Sequence, residues 1–419
     1  MKSSRIINTF LAGLLFSSVI QAAEVQVLPG SGTLAQAVTN ASDGDTLVLS
    51  DGSYVANGEL VIDKALTIRA TNSSVTSLIN GTSFTVDAAG SQVILQGLDF
   101  ALEVSLVAAA DIKVLESKFF SGYDLNVTEY KSTEGDGTLT VIGNFFTPGS
   151  LITTINAFDA YIAGNTFEKG HLISNVPVWI IGNLIKGTAN VDAININTEG
   201  AVRVLANRVF MYTSSIHNID GIDIIAGSAL IAGNIVKINI IGGTGNGYTH
   251  RGIIASNTTF SKVFNNVVDA GDKGAWVSGS SYGILAYGEV SGNMVINHIH
   301  YLHPIAGTGA ENNLCHANHH SECGTNPVTA DPQLVDRIDY RLSATSPAID
   351  AGSTSPVLAD LDRTRNDIGA YGGSWSIGQY DAQRDPLYFG PFVYPLFEAN
   401  GSFVDGQLQV RAIGVARLR

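Results

Sequence analysis

One phrase dominates the hydrophobic pattern of the chain: a short apolar run closes on Gly-Asn, or a near relative, and reopens on apolar residues. It reads VIGNFF at 141–146, IAGNTF at 162–167, IIGNLI at 180–185, LANRVF at 205–210, IAGNIV at 231–236, FNNVV at 264–268 and VSGNMV at 290–295. The intervals between Asn144, Asn165, Asn183, Asn207, Asn234, Asn266 and Asn293 are 21, 18, 24, 27, 32 and 27 residues, the spacing of a solenoid repeat. Within each phrase apolar and small residues alternate at period 2, which predicts a short strand running into a tight turn. One such unit cannot bury its apolar face alone, but stacked copies make a continuous core. Asn at a turn tolerates a left-handed backbone and can hydrogen-bond to the backbone and to the Asn of the next coil. The seven asparagines are therefore expected in line.

A second phrase recurs between these: DAININ (192–197), DGIDII (220–225), RGIIAS (251–256) and YGILAY (282–287). In this register Ile194, Ile222, Ile253 and Ile284 point inward, as do Ile196, Ile224, Ala255 and Ala286. The outward column beside them is Asn195, Asp223, Ile254 and Leu285. At the strand entrance Asp192, Asp220, Arg251 and Tyr282 fall one above another, about 4.8 Å apart per coil, with His171 close to the same strip. Trp179, Arg203, Lys262 and Glu289 form the outward column of the strands that end in Gly-Asn, where a purely structural role is expected.

The pattern resembles the right-handed parallel β-helix of the pectate-lyase-like superfamily over roughly residues 25–325. The opening TLAQAVTNASDGDTLVLSDGSYV (33–55) is similar to the start of many such proteins, including chondroitinase B and alginate lyase relatives. Apolar Leu34, Ala37, Val38 and Ala41 there predict a short helix that plugs the open end of the coil, with Thr33 and Gln36 as a capping box. ALTIRA (65–70), SFTVDA (83–88) and VILQGLDF (93–100) supply the first coils. Past the last coil, ADPQLVDRIDYRLSATSPAIDAG (330–352) and NDIGAYGG (366–373) resemble the ending of many secreted bacterial β-helix proteins; LADLDRTRND (358–367) lacks the Gly that usually follows the Asp pair there. The expected organisation is a signal peptide at 1–22, a parallel β-helix at 23–325, a cap segment at 326–372 and an aromatic-rich extension at 373–419.

Composition fits an exported β protein. Charged residues make up 14%, hydrophobic ones 45%, and there are 45 Gly, so apolar material is ample and solvated helix faces are few. Lys2 and Arg5, an apolar stretch from Phe10 to Val19 and Ile20-Gln21-Ala22 read as a cleavable signal. No later stretch is long and apolar enough to span a bilayer. Removing Lys2 and Arg5 takes the net charge from −14 to −16, which disfavours nucleic acid and anionic membrane surfaces as partners. Oligomeric state is not legible. Cys315 and Cys323 enclose CHANHHSEC with His316, His319 and His320, and His298, His300 and His303 lie just upstream. In an oxidising compartment a local disulfide is expected. A zinc or copper site is the alternative, although the spacing matches no familiar finger.

The Asp, Asp, Arg, Tyr strip is where chemistry is expected, since inward positions are core. Carboxylates of Asp192, Asp220 and Asp223, with the carbonyl of Asn195, suit Ca²⁺ through hard oxygen ligands, and Arg251 can pair with a uronate carboxylate. An elimination needs that carboxylate neutralised, and the resemblance implies calcium or Arg and Lys for this step. Tyr282, His250 or Lys273 is then the acid or base. Asp192, Asp223, Lys273 and His171 are the expected substrate contacts. A glycoside hydrolase is a second reading, because HNIDGIDI (217–224) is similar to the NTDGID motif of polygalacturonases. The paired Asp of the next coil is absent from AGNIVKINIIGG (232–243), and His250-Arg251-Gly252 only faintly echoes that family's Gly-His-Gly. A non-catalytic carbohydrate-binding or adhesin-like surface protein, with a strip of turn formers and exposed ion pairs, is the third.

Overall fold

The computed structural model describes residues 22–415 apart from 73–76, 108–109, 128–136, 149–151, 155–158, 188–190, 214–217, 241–248, 257, 271–280, 298–301, 318–321, 381–391, 397–402, 405–406 and 409–410. The expected signal peptide therefore lies outside the described residues except for Ala22. The chain winds as an all-β parallel solenoid, consistent with the right-handed coil expected from the sequence. A 13-stranded sheet begins at Glu24–Val27 and ends at Ala310–Glu311, taking one strand from each coil. The strands of the other two faces join into a 22-stranded sheet, linked where Ser77–Val86 pairs with both Asp99–Ala101 and Val104–Leu106. Every pairing within these sheets is parallel; antiparallel pairing among the described residues comes after the last coil, as a bridge between Leu334 and Leu342 and as short hairpins such as Phe392–Leu396 with Arg411–Val415.

The Gly-Asn phrases end the strands of the 13-stranded sheet, and the asparagines stack as expected. Each Asn Oδ1 accepts both the backbone N–H and the Nδ2–H of the Asn one coil earlier, at 2.9–3.0 Å. The row continues one step past the phrases read from sequence, to Asn313. Its other Nδ2–H reaches a strand carbonyl, such as Val141 O from Asn165 or Ile180 O from Asn207. All four groups are thereby satisfied in a dry interior, where an unmet one would cost about 1–3 kcal/mol. The left-handed residue is not the ladder Asn, as expected, but the one before it. Gly143, Gly164, Gly182, Gly233 and Gly292 have φ of 62–70°, and Ala206, Asn265 and Asn312 take the same conformation. Gly leads these positions because it enters that region without a steric penalty.

Inside, like residues stack on like. Phe100, Phe119, Phe146 and Phe167 lie face to face with centroids 5.0, 4.7 and 4.6 Å apart, and Phe84 meets Phe100 edge-on. From Ile185 onward the same column carries Val209, Val236, Val268 and Val295 and ends at Cys315. Cys315 is bonded to Cys323, so the expected disulfide closes that column. The opening helix spans Thr33–Asn40 and turns Leu34 and Val38 into the core. Its cap differs from the expected box: Gly32 is the N-cap, with no side-chain cap bond, and the Thr33 hydroxyl donates to Gly30 O. Thr33 has thus become the first helical residue rather than the cap.

The segment after the last coil first extends the stack, with parallel bridges from Glu311 to Thr325 and from Leu314 to Val328. It then turns back along the outside. Tyr340, Ile368, Ala370, Trp375, Ile377 and Tyr380 bury the outward apolar residues Leu205, Ile235, Val267 and Met294. Asn265 Nδ2 donates to Asp367 O at 2.6 Å, and Tyr340 donates to buried Asp269 at 2.6 Å. The start of the aromatic extension thus packs along the flank of its own coil.

Candidate active site

The four strands expected to align do so. Asn195 pairs with Asp223, Asp223 with Ile254, and Ile254 with Leu285, while Asp220 pairs with Arg251 and Arg251 with Tyr282. Ile194, Ile222, Ile253 and Ile284 are fully buried beneath them. Glycine fixes the entrance corner. A Cβ on Gly221 would lie 2.4 Å from Val236 Cγ1 and 2.7 Å from Gly252 O, and one on Gly252 would meet Val268 as closely. The chain can thus bend sharply there and hold Asp220 and Arg251 on the outside while Ile222 and Ile253 return to the core.

Asp192, Asp220 and Asp223 offer carboxylate oxygens within 4.8 Å of one another. Asp192 accepts the backbone N–H of Asp220 at 2.7 Å through one oxygen and Asn195 Nδ2 at 2.9 Å through the other. Arg251 grips Asp220 in a two-pronged pair, Nε at 2.8 Å and a terminal nitrogen at 2.6 Å. Burial pushes the Asp220 carboxyl up to about 7; the Arg251 bonds oppose this, while the charges of Asp192 and Asp223 add to it. Burial, then Asp192, also raises Asp223. Burial works against the Arg251 charge, but its bonds to Asp220 and the fields of Asp223 and Asp192 outweigh it and hold the group firmly protonated. With all three carboxylates ionised, one guanidinium leaves the strip about two charges negative, which favours a divalent cation.

The other expected residues fall in different places. Tyr282 sits one coil beyond Arg251, half-buried. His171 lies near enough for Asp124 and Asp192 to raise its pKa, but burial is the larger influence and keeps the imidazole below its ordinary value. His250 is not on the strip surface: it is 2% exposed, in register with core Ile219 and preceding outward Arg251. Alternation along the strand turns it inward, away from the face that carries Arg251. Lys273 lies outside the described residues, as do His298, His300, His319 and His320. The disulfide takes both thiols, which removes the zinc or copper reading that depended on them. His316 Nδ1 faces Thr329 O at 3.4 Å.

Sequence reading missed the next member of the column. His303 pairs with Tyr282, and its ring stacks on the tyrosine at 5.2 Å and 22°. Its Nδ1 is bonded to the Glu322 carboxylate. The signal was present, because Asp220-Gly-Ile, Arg251-Gly-Ile and Tyr282-Gly-Ile are followed by His303-Pro-Ile at the same register. The interval from Tyr282 falls to 21 residues and Pro304 replaces Gly, which hid the repeat.

A parallel β-solenoid carrying a buried, charge-rich strip at the entrance of one face is the class these observations define. No family model matches the chain, and no curated protein matches it. Solved structures similar to it include a PL6 alginate lyase complexed with a trisaccharide, at 13% identity over 73% of this chain and 83% of that one, with a TM-score of 0.34. Pectate lyase Pel9A is 14% identical over 84% of this chain and 97% of its own, with a TM-score of 0.34. A mannuronic acid-specific family 6 lyase from human gut microbiota is 11% identical over 74% and 92%, with a TM-score of 0.29. At such values no residue role is carried across, and the chemistry is read from the strip itself.

Proposed function

We propose that the chain is an exported lyase that cleaves a uronate-containing polysaccharide by β-elimination along the strip. The observation that carries this reading is the three-carboxylate cluster whose Asp220 is gripped by Arg251, with Tyr282 on the next coil. In such an elimination a base takes the proton α to the uronate carboxylate, the bond to the leaving oxygen breaks, and its departure leaves a carbon–carbon double bond. The carboxylate must be neutralised first. Arg251 has five N–H donors and commits only part of them to Asp220, so its outer edge is left to hold the substrate carboxylate. Tyr282, the nearest protic side chain along the column, is assigned the proton transfer.

The hard oxygen donors of Asp192, Asp220 and Asp223, with Asn195 Oδ1, fit Ca²⁺, which would neutralise the uronate charge when bound. That need is strong in a chain whose mature net charge is −16, from −14 less two cations. The hydrolase reading is weaker. Two-carboxylate hydrolases hold their groups about 5–5.5 Å or 6.5–9.5 Å apart, whereas these crowd within 4.8 Å and Asp220 is locked to Arg251. The binding-protein reading explains an ion pair but not the crowding of three carboxylates around it, two of them, Asp220 and Asp223, raised by burial.

The test is absorbance of unsaturated products from a panel of uronate polymers, with and without Ca²⁺. Arg251→Ala is expected to lower turnover by about 10²–10⁴, the usual loss of a positioned catalytic group. No product from the unmodified protein on any polymer, or full turnover by Arg251→Ala and Asp220→Asn, would sink the reading and leave the strip as scaffold.

A further inference from the structure

Three observations converge one coil beyond Tyr282. The parallel register places His303 directly over Tyr282, and the two rings stack. Glu322 bonds His303 Nδ1, which fixes the plane of the imidazole. Glu322 precedes Cys323, whose disulfide to Cys315 anchors it to the end of the core column, while its own carbonyl accepts the Ile305 N–H at 3.2 Å. An exposed carboxylate on a free loop would hold a histidine weakly, but this one is tied to the last coil through the disulfide of Cys323 and through its own backbone carbonyl. A tyrosine ring on an outward strand position has few other constraints on its outer face.

We propose that His303 and Glu322 are positioning residues of the strip: the disulfide fixes Glu322, Glu322 orients His303, and His303 holds the Tyr282 ring in the attitude that proton transfer requires. The inference rests on the lyase reading and extends the site to the far end of the column. The tether lies on the opposite side of Tyr282 from the carboxylate cluster, so the two ends of the strip set the two partners of the reaction independently. Misplacing a reacting group by about 1 Å can cost about 10²-fold in rate, so a support of this kind is visible in turnover.

The experiment measures kcat and KM on whichever polymer the unmodified protein cleaves, with thermal stability and the NMR shifts of the Tyr282 ring recorded in parallel. His303→Ala is expected to lower kcat about 10- to 100-fold with KM nearly unchanged, and to abolish the ring-current shift of Tyr282. His303→Phe, which restores a stacking partner, should recover most of that loss. Glu322→Gln and the Cys315→Ser, Cys323→Ser pair should each lower kcat in the same direction, by less. A wild-type kcat in His303→Ala, or a loss no larger than its fall in stability accounts for, overturns this inference alone. Absence of turnover by the unmodified protein overturns the lyase reading beneath it, and an unshifted Tyr282 ring in that protein overturns the stacking arrangement whatever the activity.

Discussion

From Phe100 to Phe167 one column of the core is filled by four stacked phenylalanines, with Phe84 edge-on to the first, while from Ile185 to Cys315 the same column holds one isoleucine, four valines and the disulfide. The strands change with it. On the face that later carries the strip, the early coils contribute three residues, as in Val104–Leu106 and Leu125–Val127, and the later ones seven and six, as in Ile219–Ile225 and His250–Ala255. A flat ring fills a short coil with a single side chain, so few other core positions are required. Branched aliphatics fill less space each, and longer strands supply more of them. Every added inward residue brings an outward neighbour, because a strand alternates faces. The later half thereby gains the positions where Asp220 and Arg251 stand, while Asp223 takes an outward position that the short strands already have, in line with Asn126, Thr153, Ile173 and Asn195. One half is stabilised by repetition, and the other carries the departures from it.

Exchanging the consequences of mutation between the halves tests that contrast. The largest stability effect is expected from Phe146→Ala, where a ring stacked on both sides leaves a cavity costing about 3–5 kcal/mol. Turnover per folded molecule should be unchanged, whereas Arg251→Ala should show the reverse, normal unfolding and lost rate. Denaturant titration beside the product assay decides it, and a rate loss in Phe146→Ala would erase the division.

Asn207→Ala should cost somewhat less, about 2–4 kcal/mol, since it strands the Asn183 N–H and the Ile180 carbonyl in a dry turn. Asn207 lies one coil past the point where the two halves meet and bonds Asn183 at that point, so hydrogen exchange in this variant should show whether coils on either side loosen together. Exchange confined to one side would mean that the halves unfold as separate units.

The smallest effect concerns protons and appears only in the later half. Asp220 has a folded pKa of about 7 against an ordinary 3.8, so the folded state binds more protons between those values. Stability contributed by the protonated carboxyl is therefore present at low pH and lost as pH rises toward 7. Melting between about pH 5 and 8 should show a fall of about 1–3 °C, reduced by added Ca²⁺ if the ionised cluster binds it. A rise in Tm over this window, or no response to Ca²⁺, would count against the cluster as a cation site.

Legibility in the sequence followed the same division. The coil, the aligned asparagines, the inward isoleucines and the disulfide could be read because each repeats or pairs locally. The order of Asp192, Asp220, Arg251 and Tyr282 could be read for that reason too. His250 could not be placed correctly by adjacency to Arg251, because neighbouring residues on a strand face opposite ways. His303 was hidden because its coil is shorter and Pro304 stands where Gly stood before. The left-handed conformation was assigned one residue late, since both residues of Gly-Asn favour turns and only the ladder geometry separates their duties.

The asparagine row also fixes how such a molecule can change in length. All its amides point the same way, Nδ2 toward the following coil and Oδ1 toward the preceding one, from Asn144 to Asn313. Aligned amide dipoles reinforce one another, so the row has a positive end and a negative end, and an interruption breaks a chain rather than a single bond. A duplicated or deleted segment can rejoin this chain only if it comprises a whole turn and brings its own asparagine. The descent of the protein is thereby quantised: it can grow or shrink in complete coils, and anything smaller must be accommodated in the loops outside.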